Sequence, residues 1–460
     1  MYRAIVDAME GDIVAGRLGP GSRLPSQRTL AHALGVNLTT VTRAMREAER
    51  RGLVMGTPGS GTFVAPRLDR VPDWPSPGES RRQSDFVDLS LNYPPDVAEA
   101  ELAAALAEWA GGMARRPQEC RSLLPYRANQ GAASDRTAAA EWIAARGLEV
   151  DPGRVVICSG AQHGLGLSLA ALAQPGDTIL CEGLVYPGVR AVAANAGLRL
   201  VPVALDDEGL KPAALSEALR RHDARALVSI PTLHNPTGVV TSLARRQELA
   251  RILRRAGTWV VEDDVYGALA GDAPRSFAAL LPERTLYLTS LSKTVAPGLR
   301  VGYLVAPDAS VLDSLLGAVR ASSWMVAPIL AAIASSWIRG GEAERAVRQV
   351  RSDIAGRRRI ARKTLLPALL TARGSGSDGQ SPHMWIPLAD AGTEARAVAL
   401  LNQAGVGVTA GEAFRVGTTS AWGFRICLGA ARSTADLTRA LGTINEVLEG
   451  GGATRDRMVL

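Results

Sequence analysis

The sequence predicts an α/β protein that carries a small helical module at its N-terminus. From about residue 86 onward, short apolar runs rich in β-branched residues alternate with helical stretches, which is typical of a mainly parallel sheet covered by helices. The first 65 residues instead show helical spacing interrupted by glycine turns. A chain of 460 residues is too long for one compact core, so we expect more than one domain.

The composition predicts a soluble, globular and cytoplasmic protein. Apolar residues make up 47% of the chain and charged residues 21%, and the net charge of +7 permits a nucleic-acid partner without requiring one. The long uncharged stretches are interrupted by Gly, Pro, Ser, Gln or His, which argues against membrane spans. Metal-ligand spacing is absent among the cysteines, so we expect free thiols and no metal site. These cysteines are Cys120, Cys158, Cys181 and Cys427.

Apolar residues at helical spacing predict three helices in the N-terminal module. The first ends before Gly16, Ser26 caps the second, and Thr39 or Thr40 opens the third. A glycine turn at Gly35 separates the last two helices. The third helix would bury one apolar face, formed by Val41, Ala44, Met45 and Ala48.

The opposite face of the third helix is polar and basic, and two helices joined by a glycine turn with such a face describe helix-turn-helix geometry. On periodicity alone, a helical hairpin that only packs against its neighbour remains equally possible. Residues 53–55 and 62–64 then flank a Gly-rich turn, which predicts a small β-hairpin, the wing.

The segments LPSQRTLAHALGV (residues 24–36) and GSGTFV (residues 59–64) resemble the winged helix-turn-helix of GntR-type transcriptional regulators, over the whole of residues 1–65. The resemblance implies that this domain binds double-stranded DNA at a promoter operator, with phosphate contacts from the wing and base contacts from the third helix. Position 38 is often arginine in this motif and is leucine here. The implied DNA-binding residues are Arg28, Asn37, Thr39, Thr40, Arg43, Gly59, Gly61 and Thr62.

Residues 66–86 mix Pro, Asp, Arg, Ser and Gly without apolar periodicity, which predicts a linker. The body that follows contains apolar runs that predict the strands of a mainly parallel sheet, and ligands gather at the carboxyl ends of strands in such sheets. These runs are 155–158, 178–181, 226–230, 259–262, 286–288 and 301–305.

Unusual residues follow the first two runs. The turn at residues 159–165 enters a helix, and its free backbone N–H groups could hold a phosphate, although most such turns are only helix starts. Tyr186 could stack on an aromatic ring or could simply pack at the surface.

The next two runs are followed by polar side chains. Asn235 precedes a proline, so the bond could be cis, and its amide could donate to a phenolate oxygen. Asp263 could keep a pyridine nitrogen protonated, and Tyr266 could reach a ring hydroxyl. Alternatively, Glu262, Asp263 and Asp264 could form a magnesium site or a solvated strand end.

Lys293 is one of only three lysines in the chain and follows the fifth run. A primary amine can form a Schiff base with an aldehyde, whereas a guanidinium cannot. Ser290 precedes it, and Arg300 could clamp a phosphate through two hydrogen bonds. An isolated Ser-x-x-Lys would more simply be a solvated loop.

Together, these signals in this order along the chain resemble the fold-type I aminotransferases, over residues 87–449. The resemblance implies a mainly parallel seven-stranded sheet with a smaller α+β domain, and the cofactor pyridoxal 5′-phosphate (PLP). Lys293, Asp263 and Tyr266 would be catalytic. Residues implied to bind the cofactor are these three with Asn235, Tyr186, Ser290, Arg300, Gly160, Ala161, Gln162 and Tyr126.

Further matches complete this resemblance. Tyr126 would reach the phosphate of a neighbouring subunit, so a homodimer is implied. Arg425 would grip a substrate carboxylate, and Asn92 and Tyr93 would line the substrate entrance. His163 stands where related chains often carry glutamine, which puts a side-chain contact to the phosphate in doubt.

The two halves together resemble the MocR class of regulators, in which a GntR-type domain (1–65) and a linker (66–86) precede an aminotransferase-like domain (87–449); residues 450–460 are a tail. The resemblance implies a PLP-dependent transcriptional regulator whose large domain senses an amine or amino acid. A working aminotransferase that carries a DNA-binding domain is the alternative, because the residues for transamination are all present.

Overall fold

The computed structural model describes residues 2–14, 18, 22, 24–50, 53–57, 61–64, 86–370, 380–417 and 421–450. The chain forms two compact units, Met1–Asp73 and Trp74–Leu460. Apart from residues 86 and 450, the predicted linker and tail lie outside the described residues. In the described part of the chain, no helix is long and apolar enough to cross a membrane.

The N-terminal unit consists of three helices followed by an antiparallel hairpin, as predicted. The buried face of the third helix is confirmed, because its four predicted residues are all buried and it packs against the other two helices. In the hairpin, Val54 pairs with Val64. These elements are α1 (Tyr2–Val14), α2 (Gln27–Leu34), α3 (Leu38–Arg50), β1 (Val54–Thr57) and β2 (Gly61–Val64).

The start of α3 differs from the prediction. The helix begins at Leu38 and not at Thr39 or Thr40, because the side chain of Asn37 is the cap: its Oδ1 accepts a hydrogen bond from Thr39 N at 3.1 Å. The cap of α2 is confirmed, since Ser26 Oγ accepts a hydrogen bond from Thr29 N at 3.2 Å.

The C-terminal unit alternates strands and helices. Its strands are β3 (Val87–Asp88), β4 (Val155–Cys158), β5 (Thr178–Glu182), β6 (Arg199–Val203), β7 (Leu205–Asp206), β8 (Gly209–Leu210), β9 (Ala224–Ser229), β10 (Trp259–Asp263), β11 (Thr285–Ser290), β12 (Gly302–Val305), β13 (His383–Leu388), β14 (Val406–Gly407), β15 (Thr409–Ala410) and β16 (Trp422–Cys427). Its helices are α4 (Glu99–Ala114), α5 (Pro117–Ser122), α6 (Ala133–Ala144), α7 (Ala161–Leu172), α8 (Pro187–Asn195), α9 (Pro212–Arg221), α10 (Leu243–Ala256), α11 (Phe277–Leu280), α12 (Ala309–Ser322), α13 (Pro328–Arg339), α14 (Glu342–Thr364), α15 (Pro367–Leu370), α16 (Ala391–Gln403) and α17 (Thr434–Gly450).

A seven-stranded sheet forms the centre of the large domain, in the order β4-β12-β11-β10-β9-β5-β6. Only β12 runs antiparallel to its neighbours, so the predicted mainly parallel sheet is confirmed. Alternate residues of each strand face opposite sides. Val155 and Ile157 therefore pack into the core beneath α6 and α13, whereas Val156 and Cys158 pack into the core beneath α7 and α12.

The smaller α+β domain is also present. Its antiparallel sheet has the order β13-β16-β15 and packs against α16 and α17 through an apolar core of its own. β3 pairs in parallel with β14, with Val87 opposite Val406. β3, the first described strand of the C-terminal unit, is therefore part of the small domain, although most of the small domain comes from later parts of the chain.

Candidate functional site

A cleft lies at the carboxyl ends of the parallel strands, where ligands bind in sheets of this kind. The fold brings together residues that are far apart in the sequence. Ten residues that the sequence singled out line the cleft: Asn92, Ala161, Gln162, Tyr186, Asn235, Asp263, Tyr266, Ser290, Lys293 and Arg300.

Lys293 lies in this cleft just after β11, with its side chain half-buried. Its Nζ donates a hydrogen bond to Asn92 O at 2.8 Å. Burial lowers the pKa of Lys293 to about 8. Near neutral pH the amine therefore exists in both protonation states, and it is not the solvated loop lysine of the alternative interpretation.

Asp263 is buried at the end of β10 and also lines the cleft. Its Oδ1 accepts a hydrogen bond from Val265 N at 3.3 Å. Burial raises the pKa of Asp263 to about 7, and the neighbouring charges of Asp264 and Glu182 act in the same direction. A cationic group placed beside this carboxylate would stabilise its ionised form.

The two acids that flank Asp263 are held by other parts of the protein. Glu262 accepts hydrogen bonds from two backbone N–H groups, of Phe277 and Ala278. Asp264 Oδ2 accepts from Arg146 Nε at 3.1 Å and from the Tyr287 hydroxyl at 2.7 Å. Within the described residues, no group of three or more His, Cys, Asp or Glu side chains could hold a metal ion, so the magnesium alternative has no support in the structure.

Tyr266, Asn92 and Asn235 form a polar wall of the cleft. Asn92 Nδ2 donates to the Tyr266 hydroxyl at 2.5 Å. Burial raises the pKa of Tyr266, which keeps the phenol protonated and able to donate. The Asn235-Pro236 bond is cis, and Asn235 Oδ1 accepts from Arg425 Nη1 at 3.2 Å. For a ligand, Asn235 therefore offers its amide N–H groups.

Hydrogen-bond donors converge at the end of the cleft near α7. Gly160 precedes the helix with φ +81°, and a Cβ on it would lie 3.0 Å from Arg300 Nη2. The first backbone N–H groups of α7, at Ala161 and beyond, face no helical partner. Ser292 Oγ also lines the cleft and is buried without a hydrogen-bond partner. This arrangement suits a dianionic phosphate.

Arg425 lies behind Asn235 on β16 and is fully buried. Its Nη2 donates to Thr409 Oγ1 at 3.0 Å and to Ser90 O, whereas its Nε has no partner. Burial lowers the pKa of Arg425, but a guanidinium stays charged in proteins. Arg425 forms no ion pair with a carboxylate among the described residues, and it is not one of the residues that line the cleft.

The other three predicted tyrosines lie in different surroundings. Tyr186 lines the cleft at the start of α8, and a Cβ on Gly188 would lie 2.2 Å from its Cε1, so a residue without a side chain makes room for the ring. Tyr93 is half-buried beside Cys427, outside the cleft lining. Tyr126 is 82% exposed and contacts the ring edge of Trp324.

In the N-terminal unit, Arg28, Thr39 and Arg43 are exposed, and Thr40 and Thr62 are half-buried. Gly61 begins β2, and Gly59 lies outside the described residues. The side-chain oxygen of Asn37 is occupied as the cap of α3.

The sequence did not single out four residues that line the cleft, namely Leu165, Ile230, Val265 and Ser292. Ser292 lies inside the Ser-Leu-Ser-Lys motif, so its position was a usable signal. The three apolar residues resemble any core position. His383, fully buried and perpendicular to the Tyr266 ring at 5.0 Å, was also missed.

Two family models match the chain. The model described as aminotransferase class I and II covers residues 84–444, and the model described as bacterial regulatory proteins of the gntR family covers residues 1–64. Each model falls within one of the two compact units.

Individual proteins have sequences similar to this chain. The HTH-type transcriptional regulator YisV of Bacillus subtilis is 32% identical over 78% of this chain and 78% of its own length. The vitamin B6 salvage pathway transcriptional repressor PtsJ of Salmonella typhimurium is 29% identical over 92% of this chain and 93% of its own.

Among solved structures, the α-aminoadipate aminotransferase LysN of Thermus thermophilus, complexed with N-(5′-phosphopyridoxyl)-L-leucine, superposes with a TM-score of 0.69. It is 25% identical and covers 80% of this chain and 93% of its own. The shared part is the body that contains the cleft.

Proposed function

The chain belongs to the aminotransferase class I and II family and, with its gntR-type N-terminal domain, to the MocR-type transcriptional regulators; from this premise we propose that an amine or amino acid bound in the cleft controls how the protein binds DNA. The observation that carries the proposal is the pairing, in one chain, of a helix-turn-helix domain with a cleft that contains Lys293, Asp263 and Tyr266.

The cofactor of this family is PLP, and the residues of the cleft fit it. When bound, PLP supplies an aldehyde carbon that amines attack and a ring that withdraws electrons. Lys293 is the one primary amine lining the cleft, and Asp263 is the carboxylate for a pyridinium nitrogen. The unpartnered Ser292 hydroxyl and the Arg300 guanidinium, with the start of α7, would hold the phosphate.

The remaining residues of the wall would orient the ring. Tyr186 would lie against one face of it, and the amide of Asn235 and the hydroxyl of Tyr266 would donate to the ring oxygen. Lys293, with a pKa of about 8, can hold a proton or release it near neutral pH. Ala161 and Gln162 would contribute backbone donors to the phosphate, and Gly160, whose own N–H donates to Cys158 O at 2.8 Å, would let the phosphate approach closely.

Arg425 is the proposed receptor for an effector carboxylate. A carboxylate could bind its unpartnered Nε and replace the neutral Asn235 and Ser90 oxygens, and a charged acceptor makes the stronger hydrogen bond. Asn92 and Tyr93 would lie beside the same ligand. Because Arg425 belongs to the small domain, this contact would bias the position of that domain relative to the cleft.

A homodimer bound to double-stranded DNA is the proposed working state. Leu124, Tyr126 and Trp324 are 73%, 82% and 51% exposed, and large exposed apolar side chains in one region mark interaction surfaces. Tyr126 would then reach the phosphate of the second subunit. Two tethered DNA-binding domains gain affinity through effective concentration, and a cytoplasmic location follows from the DNA partner.

The second candidate function is transamination by the same cleft. Lys293 favours it, because a buried amine with a pKa of about 8 can carry protons between donor and acceptor atoms. The regulator is the better-supported function, because the 1–64 match to gntR-family proteins has no role in a pure transaminase.

A mobility-shift assay with the chain's own upstream DNA tests the proposal. We expect a specific complex whose affinity changes when PLP and an amine are both present. Removal of residues 1–65 should abolish the complex and leave the absorbance of bound PLP intact. Sustained turnover of an amino acid and a keto acid, together with DNA binding that ignores every amine, would favour the transaminase instead.

A further inference from the structure

Glu394 is a buried carboxylate on α16, outside the cleft, that has all its hydrogen-bonding capacity filled. Its Oε1 accepts from Glu412 N at 2.9 Å and from Arg415 Nη2 at 3.1 Å. Its Oε2 accepts from Arg415 Nη1 at 2.6 Å and from Gly423 N at 2.9 Å. Such a saturated, charge-assisted cluster fixes the groups around it in one geometry.

The groups that hydrogen-bond to Glu394 belong to two chain segments, and both segments adjoin Arg425 or its hydrogen-bond acceptor. Gly423 is on β16, two residues before Arg425. Glu412 and Arg415 belong to the segment that follows β15, whose Thr409 accepts a hydrogen bond from Arg425 Nη2 at 3.0 Å. One carboxylate thus ties the strand of the arginine to the strand of its acceptor.

Close approach of these segments depends on residues without side chains. A Cβ on Gly411 would lie 2.8 Å from Glu394 Oε2 and 2.6 Å from Gly423 O. Gly423 itself has φ +149°, and its Cβ would lie 2.2 Å from Ile386 O. Both glycines let backbone reach the carboxylate at hydrogen-bond distance.

The same segment also touches the opposite wall of the cleft. Val185 N donates to Phe414 O at 2.8 Å, and Arg190 Nη1 donates to the carbonyl oxygens of Glu412 and Ala413, both at 3.0 Å. Val185 directly precedes Tyr186, the proposed partner of the cofactor ring. Arg415 neutralises the charge of Glu394, so the charge of Arg425 is left for a ligand.

We propose that Glu394 is a positioning residue that holds Arg425 in the orientation that receives the effector carboxylate. The inference rests on the proposed function, in which Arg425 is that receptor. It predicts that Glu394 matters for ligands that carry a carboxylate and not for amines that lack one.

The test uses the full-length protein with bound PLP and reads the shift of its visible absorbance. The probes are the twenty proteinogenic L-amino acids, and then, for the one that binds best, its decarboxylated amine. We expect Glu394→Gln to raise the Kd of the amino acid about tenfold and to leave the Kd of the amine unchanged. Glu412→Gln is the matched control, because this substitution removes the same charge from an exposed side chain of the neighbouring segment.

Arg425→Gln separates the inference from the proposed function. If this variant keeps the preference for the amino acid, or if no amino acid shifts the wild-type spectrum, the proposed receptor is wrong and the inference falls with it. If Arg425→Gln loses the preference and Glu394→Gln keeps it, only the role of Glu394 is wrong.

Arg415→Lys provides a second route if Glu394→Gln does not fold. It keeps the positive charge beside Glu394 but cannot make the two-point contact. We expect Arg415→Lys to bind the amino acid about threefold more weakly and to bind the amine as wild type does. Equal losses of affinity for both probes, or no loss for either, would contradict the proposal.

Discussion

At the scale of single residues, burial moves the pKa values of two charged groups of the cleft toward each other. The pKa of Asp263 is raised to about 7, and the pKa of Lys293 is lowered to about 8. Titratable groups tuned in this way are typical of sites that move protons. The same burial makes the reactivity of the amine depend on pH close to neutrality.

Capture of PLP by the protein should accelerate as the pH rises through about 8, because only the neutral Lys293 amine attacks the aldehyde. About one-tenth of the amine is neutral at pH 7 and about nine-tenths at pH 9. Stopped-flow absorbance of PLP mixed with cofactor-free protein measures the rate. Lys293→Ala should give no lysine-bound absorbance, and Lys211→Ala, an exposed lysine, should behave as wild type; a flat rate between pH 7 and 9 would contradict the tuned amine.

Arg246 is a second residue whose environment makes a prediction. It is fully buried on α10, and its guanidinium donates to Pro231 O at 2.8 Å and to Thr241 O at 2.9 Å, on either side of the loop that carries Asn235. Arg246→Lys should lower the free energy of unfolding by about 3 kcal/mol and weaken PLP binding, because the loop loses its anchor. Thermal unfolding and PLP titration measure the two effects.

Arg251→Lys is the control for this change, since Arg251 is on the same helix and exposed. If both variants unfold and bind PLP alike, Arg246 does not hold the loop.

At the scale of elements, the recognition helix α3 shows how a cap and a DNA contact can be separated. Asn37 was predicted to face base edges, yet its Oδ1 caps the helix. Serine caps a helix as well as asparagine does, whereas alanine at the cap position lowers helix stability by about 1 kcal/mol. If Asn37 acts only as a cap, Asn37→Ser should bind operator DNA as wild type does, and Asn37→Ala should bind about fivefold more weakly. Equal losses in both would show that the amide contacts DNA.

Elements also show what the sequence could and could not predict. Six strands of the central sheet were predicted, because they are mostly buried and therefore form continuous apolar runs. The seventh, β6, was missed because it is an edge strand whose residues are partly exposed and include Pro202. The start of α3 was misplaced by one or two residues, because Thr39 and Thr40 are also common capping residues, whereas the helix uses Asn37.

At the scale of the whole molecule, the polar residues of the cleft were more predictable from the sequence than the residues of the small domain that support it. Polar residues that follow successive strands must meet at one edge of a parallel sheet, so their order along the chain was informative. The contacts of Glu394 and His383 depend on how the small domain folds back, and no local pattern marks them. Both residues are on elements that the sequence analysis had not assigned to the cleft.

The proposed homodimer makes a prediction at the same scale. Leu124→Arg places a charge among the exposed apolar side chains of Leu124, Tyr126 and Trp324. We expect it to weaken self-association at least about tenfold, as measured by sedimentation velocity. Leu243→Arg, on an exposed leucine of α10, is the matched control; a Leu124→Arg protein that sediments as wild type would rule out this surface as the interface.

The pairing of β3 with β14 has a mechanical consequence. Val87 N donates to Gly405 O and Leu89 N donates to Gly407 O, both at 2.8 Å, so the small domain holds the first described strand of the C-terminal unit. An effector that displaced the small domain would therefore displace β3 with it, and residue 86, where the predicted linker ends, would move as well.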